Sequence, residues 1–169
     1  MRFVPLVAAT ALVLALPRPG YAQVKFGGQL SFGSQSIGFG VGARADVALV
    51  KFVPAAKDIS IIGAFDYFFP GSSYGVSPSY WEINVDGAYH FALPNTKLGP
   101  YAGAGLNLAH ASASACYLGT CASASSSNVG LNLLAGTTFE VMPRITPFAE
   151  VRLELGGGKA VVVSAGVLF

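Results

Sequence analysis

Charge is scarce in this chain. Only 11% of its 169 residues are Asp, Glu, Lys or Arg, against about 25% in an average soluble domain. Long apolar runs are missing as well. Hydrophobic residues make up 53% of the sequence, yet beyond the N-terminus no uninterrupted apolar stretch reaches the ~18 residues of a transmembrane helix. The 21 glycines interrupt nearly every apolar stretch, and each disfavours a helix interior by about 1 kcal/mol. A hydrophobic chain without a spanning helix has one other way to satisfy its backbone in lipid, a sheet closed on itself. The fold class expected is therefore all-β. Cysteine is nearly absent too. Cys116 and Cys121 are the 2 present, with no third or fourth ligand nearby, so a zinc site is a poor reading. A disulfide closing a small external loop is the expected use of the pair.

What is present begins with an export signal. Arg2 supplies a positive start, Phe3 to Leu16 an apolar core, and Pro17, Pro19 and Gly20 break it before Gly20-Tyr21-Ala22. The pattern reads as a signal peptide over residues 1–22, cleaved before Gln23, with one domain over 23–169. The apolar core would span only ~21 Å as a helix, too little for a bilayer anchor. No Cys comes just after the cleavage site, which argues against a lipoprotein. Without Arg2 and Arg18, basic and acidic residues balance at 8 each. A neutral chain offers no electrostatic footprint for nucleic acid.

The remainder alternates with period 2 in eight segments bounded by Gly, Pro, Ser, Asn or Lys, at about 24–33, 36–49, 59–69, 80–91, 97–110, 128–141, 144–155 and 160–169. In the seventh, Ile145, Pro147, Ala149, Val151, Leu153 and Leu155 alternate with Arg144, Thr146, Phe148, Glu150, Arg152 and Glu154. In the second, large aliphatics alternate with Gly38, Gly40, Gly42, Arg44 and Asp46. That second face is too rich in Gly and too poor in Lys for a solvated surface. It suits the narrow lumen of a small barrel, where glycine lets side chains from opposite walls fit. The architecture expected is an eight-stranded antiparallel transmembrane β-barrel. The longer links, Pro70–Ser79 and Ala111–Ser127, are expected outside the cell, and both termini in the periplasm. Phe69 and Trp81 would mark the outer interface, and Phe91, Phe139 and Phe169 the inner one.

Strand five onward resembles the OmpA/OmpX/OmpW-like outer-membrane β-barrel superfamily. The resemblance is carried by Pro100-Tyr101-Ala102-Gly103-Ala104-Gly105-Leu106, Thr146-Pro147-Phe148-Ala149-Glu150 and the closing Ser164-Ala165-Gly166-Val167-Leu168-Phe169. It implies the fold, residence in the cell outer membrane with its lipids as surroundings, and the outer-membrane assembly machinery as a partner that reads Phe169. It does not choose an activity, since the superfamily spans adhesins, structural proteins, small transporters and lipid enzymes. No peptidoglycan-binding domain is expected after strand eight.

Candidate chemistry is sparse. Inward parity collects Lys25, Arg44, Asp46, Asp66, Glu82, Asp86, Glu140, Glu150, Arg152 and Glu154. These form either a conduction path or, as an interior of this width favours, a plug of hydrogen bonds and ion pairs. Acids outnumber bases, which leaves carboxylates to be protonated, hydrated or exposed near a rim. His110 and Ser112 resemble the pair in barrel enzymes that deacylate lipid A. Ala113 and Ser114 then depart from that family's continuation, and an interfacial His is the blander reading. Gly38-Phe39-Gly40-Val41-Gly42 has no helix after it and reads as lumen packing rather than a phosphate loop. No catalytic residue, metal ligand or cofactor is expected. The reading is a non-enzymatic surface or envelope barrel whose external loops bind an extracellular ligand of unnamed chemistry. The alternatives are a porin-like transporter of small, apolar solutes and a lipid A-modifying enzyme using His110 and Ser112.

The carboxyl end gives a first test. Phe169 contributes one rim side chain to the finished fold, so its deletion is expected to strand precursor in the periplasm more than to destabilise folded barrel. Fractionation of cells expressing the truncated chain measures this, and normal outer-membrane yield would count against the resemblance.

Overall fold

The computed structural model describes residues 24–71, 76–117, 120–141, 143–156 and 159–169. The expected signal peptide lies outside them. Eight strands run in chain order: β1 (Val24–Gly33), β2 (Gly38–Ala48), β3 (Ile59–Phe69), β4 (Val76–His90), β5 (Leu98–Tyr117), β6 (Thr120–Phe139), β7 (Thr146–Leu155) and β8 (Ala160–Leu168). Each pairs antiparallel with its sequence neighbours, and β8 returns to β1 to form a closed barrel. At the seam Gly27 lies opposite Leu168 and Gly33 opposite Val162. Just past it, the Phe169 amide donates to the Phe26 carbonyl at 2.8 Å. Within the wall, closure pairs each strand on both sides and leaves no open edge. The helical content among the described residues is two short 3-10 turns, Leu49–Lys51 and Pro54–Ala56. No helix there is long and apolar enough to cross a membrane.

The sides of the sheet are inverted relative to a soluble barrel with an apolar interior. Phe32, Leu106, Val129 and Leu131 point outward and are more than half exposed. Arg152, Glu82, Asn84 and Asp66 point inward and are almost fully enclosed. Alternation along β7 shows this in one strand. Val151 is 45% exposed, while the next residue, Arg152, is 1% exposed. An outward apolar belt around a polar interior is the arrangement a bilayer stabilises, because lipid contacts the aliphatics and the lumen satisfies the polar groups.

Two glycines show how a crowded interior closes. The Asp66 carboxylate lies against Gly42, and the Asp86 carboxylate against Gly105, each within the space a Cβ would need. The close approach is therefore available to glycine alone. At the β1–β2 turn the chain reverses through left-handed backbone at Gln35, Ser36 and Gly38, so β2 starts at Gly38 rather than at Ser36.

The largest departure from the sequence reading is at 111–127. Composition makes that stretch a flexible link, yet β5 and β6 each run 20 residues and continue their ladder from Leu98↔Phe139 to Tyr117↔Thr120. Within it Ser112 faces Ser125, Ala113 faces Ala124 and Ser114 faces Ser123. The sequence Ala-Ser-Ala-Ser-Ala has a period of 2, as a strand requires. Its members are turn-forming or small, so a rule based on composition reads it as loop. β4 pairs with β5 as far as Val76↔Ala115, making a three-stranded extension. β7 meets β6 only up to Leu131↔Leu155, so the extension stands beyond the closed wall.

The facing of β7 yields a stability prediction. Val151→Arg is expected to cost about 2–4 kcal/mol if the position lies near mid-bilayer, since lipid cannot solvate the guanidinium. Denaturant titration of the barrel refolded into phospholipid vesicles measures the loss; unchanged stability would contradict the outward facing of Val151.

Candidate functional site

Inward side chains from all eight strands meet in one connected network. Arg152 of β7 is its centre. Its Nη1 donates to Glu82 Oε1 at 2.9 Å, and its Nη2 lies 3.5 Å from Glu150 Oε1 and 3.8 Å from Asp66 Oδ2. Glu154 Oε1 is 3.9 Å from Nη1. Arg44 of β2 forms the second centre. Its Nη1 donates to Glu150 Oε2 at 2.7 Å. Its Nε and Nη2 grip Asp46 at 2.8 and 3.2 Å. The Tyr101 hydroxyl of β5 donates to Glu150 Oε2 at 2.9 Å, and the Phe148 ring lies 4.2 Å from the Arg44 guanidinium carbon. Glu150 thus joins the two arginines.

Neutral groups complete the layer. Gln29 and Ser31 of β1 donate to Asp66, at 2.8 Å in each case for the Oδ1 contact. Ser31 also meets Ser164 of β8 at 2.9 Å. Asn84 Nδ2 donates to Glu82 Oε1 at 3.0 Å, and Asn132 Nδ2 of β6 donates to Asn84 Oδ1 at 2.8 Å and Asp86 Oδ1 at 3.0 Å. Beside this layer Ile62, Ala88, Tyr101 and Leu134 form a small buried apolar cluster. Paired charges inside a low-dielectric wall are tolerable only with their hydrogen bonds complete, and most of this network meets that condition.

Of the residues collected by inward parity, Arg44, Asp46, Asp66, Glu82, Asp86, Glu150, Arg152 and Glu154 are buried together in the lumen. Lys25 stands apart and half-buried, its Nζ 3.3 Å from Thr146 Oγ1. Glu140 is exposed one residue past the end of β6, where its amide donates to the Lys97 carbonyl at 2.8 Å. Gln29, Ser31, Asn84, Tyr101, Asn132 and Ser164 are members that the sequence reading missed. Their inward parity is visible in the sequence, but a collection by charge passes over neutral donors.

The His110 and Ser112 side chains do not bond to each other. His110 Nδ1 meets Ser127 Oγ at 2.8 Å and the imidazole stacks on Trp81 at 5.1 Å, while Ser112 Oγ meets Ser79 Oγ at 2.7 Å. No carboxylate is hydrogen-bonded to His110 among the described residues, so the arrangement lacks the acid that orients a hydrolytic His. Among the described residues no group of three His, Cys, Asp or Glu side chains is arranged to hold a metal ion. Cys121 is exposed and sits opposite Cys116 in the ladder; the Cys116 side chain lies outside the described residues, as does the loop tip at Leu118. Phe169 is 61% exposed at the barrel rim.

Where the extension leaves the wall, a cleft of about 430 Å³ opens between Ile37, Pro70, Pro78, Tyr80, Ala111 and Ala113. The Tyr80 ring packs against Phe68 with centroids 5.6 Å apart. The lining residues carry no charge.

No family model matches the chain, and no curated protein matches it. Solved structures do. Neisserial surface protein A is similar with a TM-score of 0.62 and 20% identity, over 86% of this chain and 94% of that one. Ail, the attachment invasion locus protein of Yersinia pestis, gives a TM-score of 0.57 at 17% identity, over 87% and 94%. The N-terminal β-barrel domain of Pseudomonas aeruginosa OprF gives 0.56 at 16%, over 88% and 98%. With the closed strand order and the inverted faces already described, these likenesses give the chain the fold of the eight-stranded outer-membrane barrels.

Proposed function

We propose that the chain is a non-enzymatic outer-membrane surface protein, closed along its lumen, whose β4–β5–β6 extension contacts molecules outside the cell. One observation carries the reading: the lumen is crossed by a network to which every strand contributes, with Arg152, Glu82 and Asn84 each 1% exposed or less. An interior filled in this way leaves no continuous path for a solute, which speaks against the transporter alternative. The separation of His110 from Ser112 speaks against the lipid A enzyme. What remains for activity is the outer surface. There the extension reaches well past the ~9–11 residues that a spanning strand needs, and the uncharged cleft lies at its base. The apolar belt is the contact with outer-membrane lipids, and assembly through Phe169 is part of the same reading.

The cysteines belong to this extension. Directly opposed residues of an antiparallel pair have Cα atoms about 4.5–5.5 Å apart, within the ~4.4–6.8 Å range of disulfides. A Cys116–Cys121 bond would stabilise a small loop by at most ~2–3 kcal/mol and would hold the tip without touching the closed wall. Thiol labelling of intact cells is expected to require prior reduction, while the folded band in heat-modifiable gel mobility is expected to survive reductant. Labelling without reduction would exclude the bond.

Conductance and lipid hydrolysis, assayed together on refolded protein in planar bilayers and liposomes, test the main reading. Neither steady conductance nor acyl release is expected from the native chain. Arg152→Leu leaves Asp66, Glu82, Glu150 and Glu154 without their shared cation, at an expected cost of about 3–5 kcal/mol, and should admit ion leakage. A steady current through the native barrel would favour transport instead.

A further inference from the structure

Outside the lumen, charge gathers at one end of the barrel, the end where β1 begins and β8 finishes. Lys25, Lys57, Lys97 and Arg144 lie there with Asp58 and Glu140, and Lys51 belongs to the same links. At the opposite end, over residues 33–40, 70–79, 111–130 and 155–162, the sequence has Lys159 as its one charged residue. The excess of bases at the first end is not neutralised internally. Lys57, Lys97 and Arg144 are exposed, and none of them forms an ion pair among the described residues. Lys25 is engaged with Thr146. Backbone bonds hold the links against the wall. The His90 amide donates to the Asp58 carbonyl and the Glu140 amide to the Lys97 carbonyl, each at 2.8 Å.

The same rim is apolar. From Leu49 to Lys57 the link after β2 reads Leu-Val-Lys-Phe-Val-Pro-Ala-Ala-Lys, with no polar residue besides its two lysines. It winds into two 3-10 turns outside the ladder, and there Phe52 and Val53 are 65% and 51% exposed. Phe91, Leu93 and Val141 are exposed at the same end. A link turned to water is normally polar, and a partner recognised through charge alone would leave these side chains wet. Apolar side chains beside unpaired cations fit a lipid interface instead. The rings and aliphatics enter the boundary between headgroups and acyl chains, while the basic groups reach the phosphates. We propose that this rim binds the anionic headgroups of the phospholipid leaflet next to it, through Lys57, Lys97 and Arg144, with Phe52 and Val53 as the apolar seat. The β4–β5–β6 extension lies at the other end and plays no part, so failure of this proposal would leave the surface reading intact.

The test uses the mature chain refolded into phosphatidylcholine vesicles that carry a trace of spin-labelled lipid. Electron paramagnetic resonance measures the fraction of label slowed by the barrel, for labelled phosphatidylglycerol and for labelled phosphatidylcholine in turn. Phosphatidylglycerol is expected to be held preferentially, by up to about fivefold, as one basic group near a membrane surface allows. The preference is expected to vanish at about 1 M salt, where charges are screened within ~3 Å. The triple variant Lys57→Gln, Lys97→Gln, Arg144→Gln alters links outside the wall and is expected to lose the preference, while Lys159→Gln at the far end keeps it. Equal slowing of the two lipids by the native chain would overturn the proposal, as would a preference that salt does not weaken. A preference that survives the triple variant, or that is lost with Lys159→Gln, would also overturn it. The salt series needs no variant and decides the matter if the triple variant does not fold. Co-sedimentation of the chain with purified peptidoglycan, without any lipid preference, would overturn it too and give the rim a cell-wall partner.

Discussion

The interior of this barrel depends on two guanidinium groups and the carboxylate between them. Arg152 reaches acids on β3, β4 and β7, Arg44 holds acids on β2 and β7, and Glu150 takes both. Enclosing charge in so narrow a space is unfavourable unless each partner is in place, which makes the arrangement nearly all-or-none. It also ties strand register to the chemistry. A slip of one residue in β7 would turn Arg152 to the lipid side and Val151 inward, reversing every contact on that strand. The polar network and the apolar belt are thus two consequences of one alternation.

Glycine sets how tightly the layer can form. Without Cβ atoms at Gly42 and Gly105, the carboxylates of Asp66 and Asp86 lie close against the neighbouring strands. Tyr101 lies over Gly136 in the same manner, which places its hydroxyl within reach of Glu150. The high glycine content that argues against helices in the sequence is therefore also what permits a filled interior. A wider barrel with larger wall residues would hold water where this one holds side chains.

Strand number, order and facing were legible because each short-linked segment alternates cleanly, as Val151 and Arg152 show. The charged members of the lumen came from parity alone. Glu140 was collected by the same parity, yet it lies one residue past the end of β6 and is exposed. The neutral members could not be ranked from sequence: Asn132 and Asn84 matter through which neighbours they reach across the lumen, and a linear pattern does not contain that distance. The separation of His110 from Ser112 was likewise invisible. Residues two apart share a face, but cross-strand neighbours at Ser127 and Ser79 compete for each side chain and win.

The extension carries an ambiguity that the wall does not. Where Ala113 faces Ala124 and Ser114 faces Ser123, sliding one strand past the other by two residues would again set Ala against Ala and Ser against Ser over part of its length. Alignment there cannot come from the repeat itself. It has to be imposed from the ends: at the base by His110, bonded to Ser127 and stacked on Trp81, and at the tip by the placement of Cys116 opposite Cys121. The low-complexity segment thus behaves as a ruler without markings, read correctly only because both of its ends are labelled.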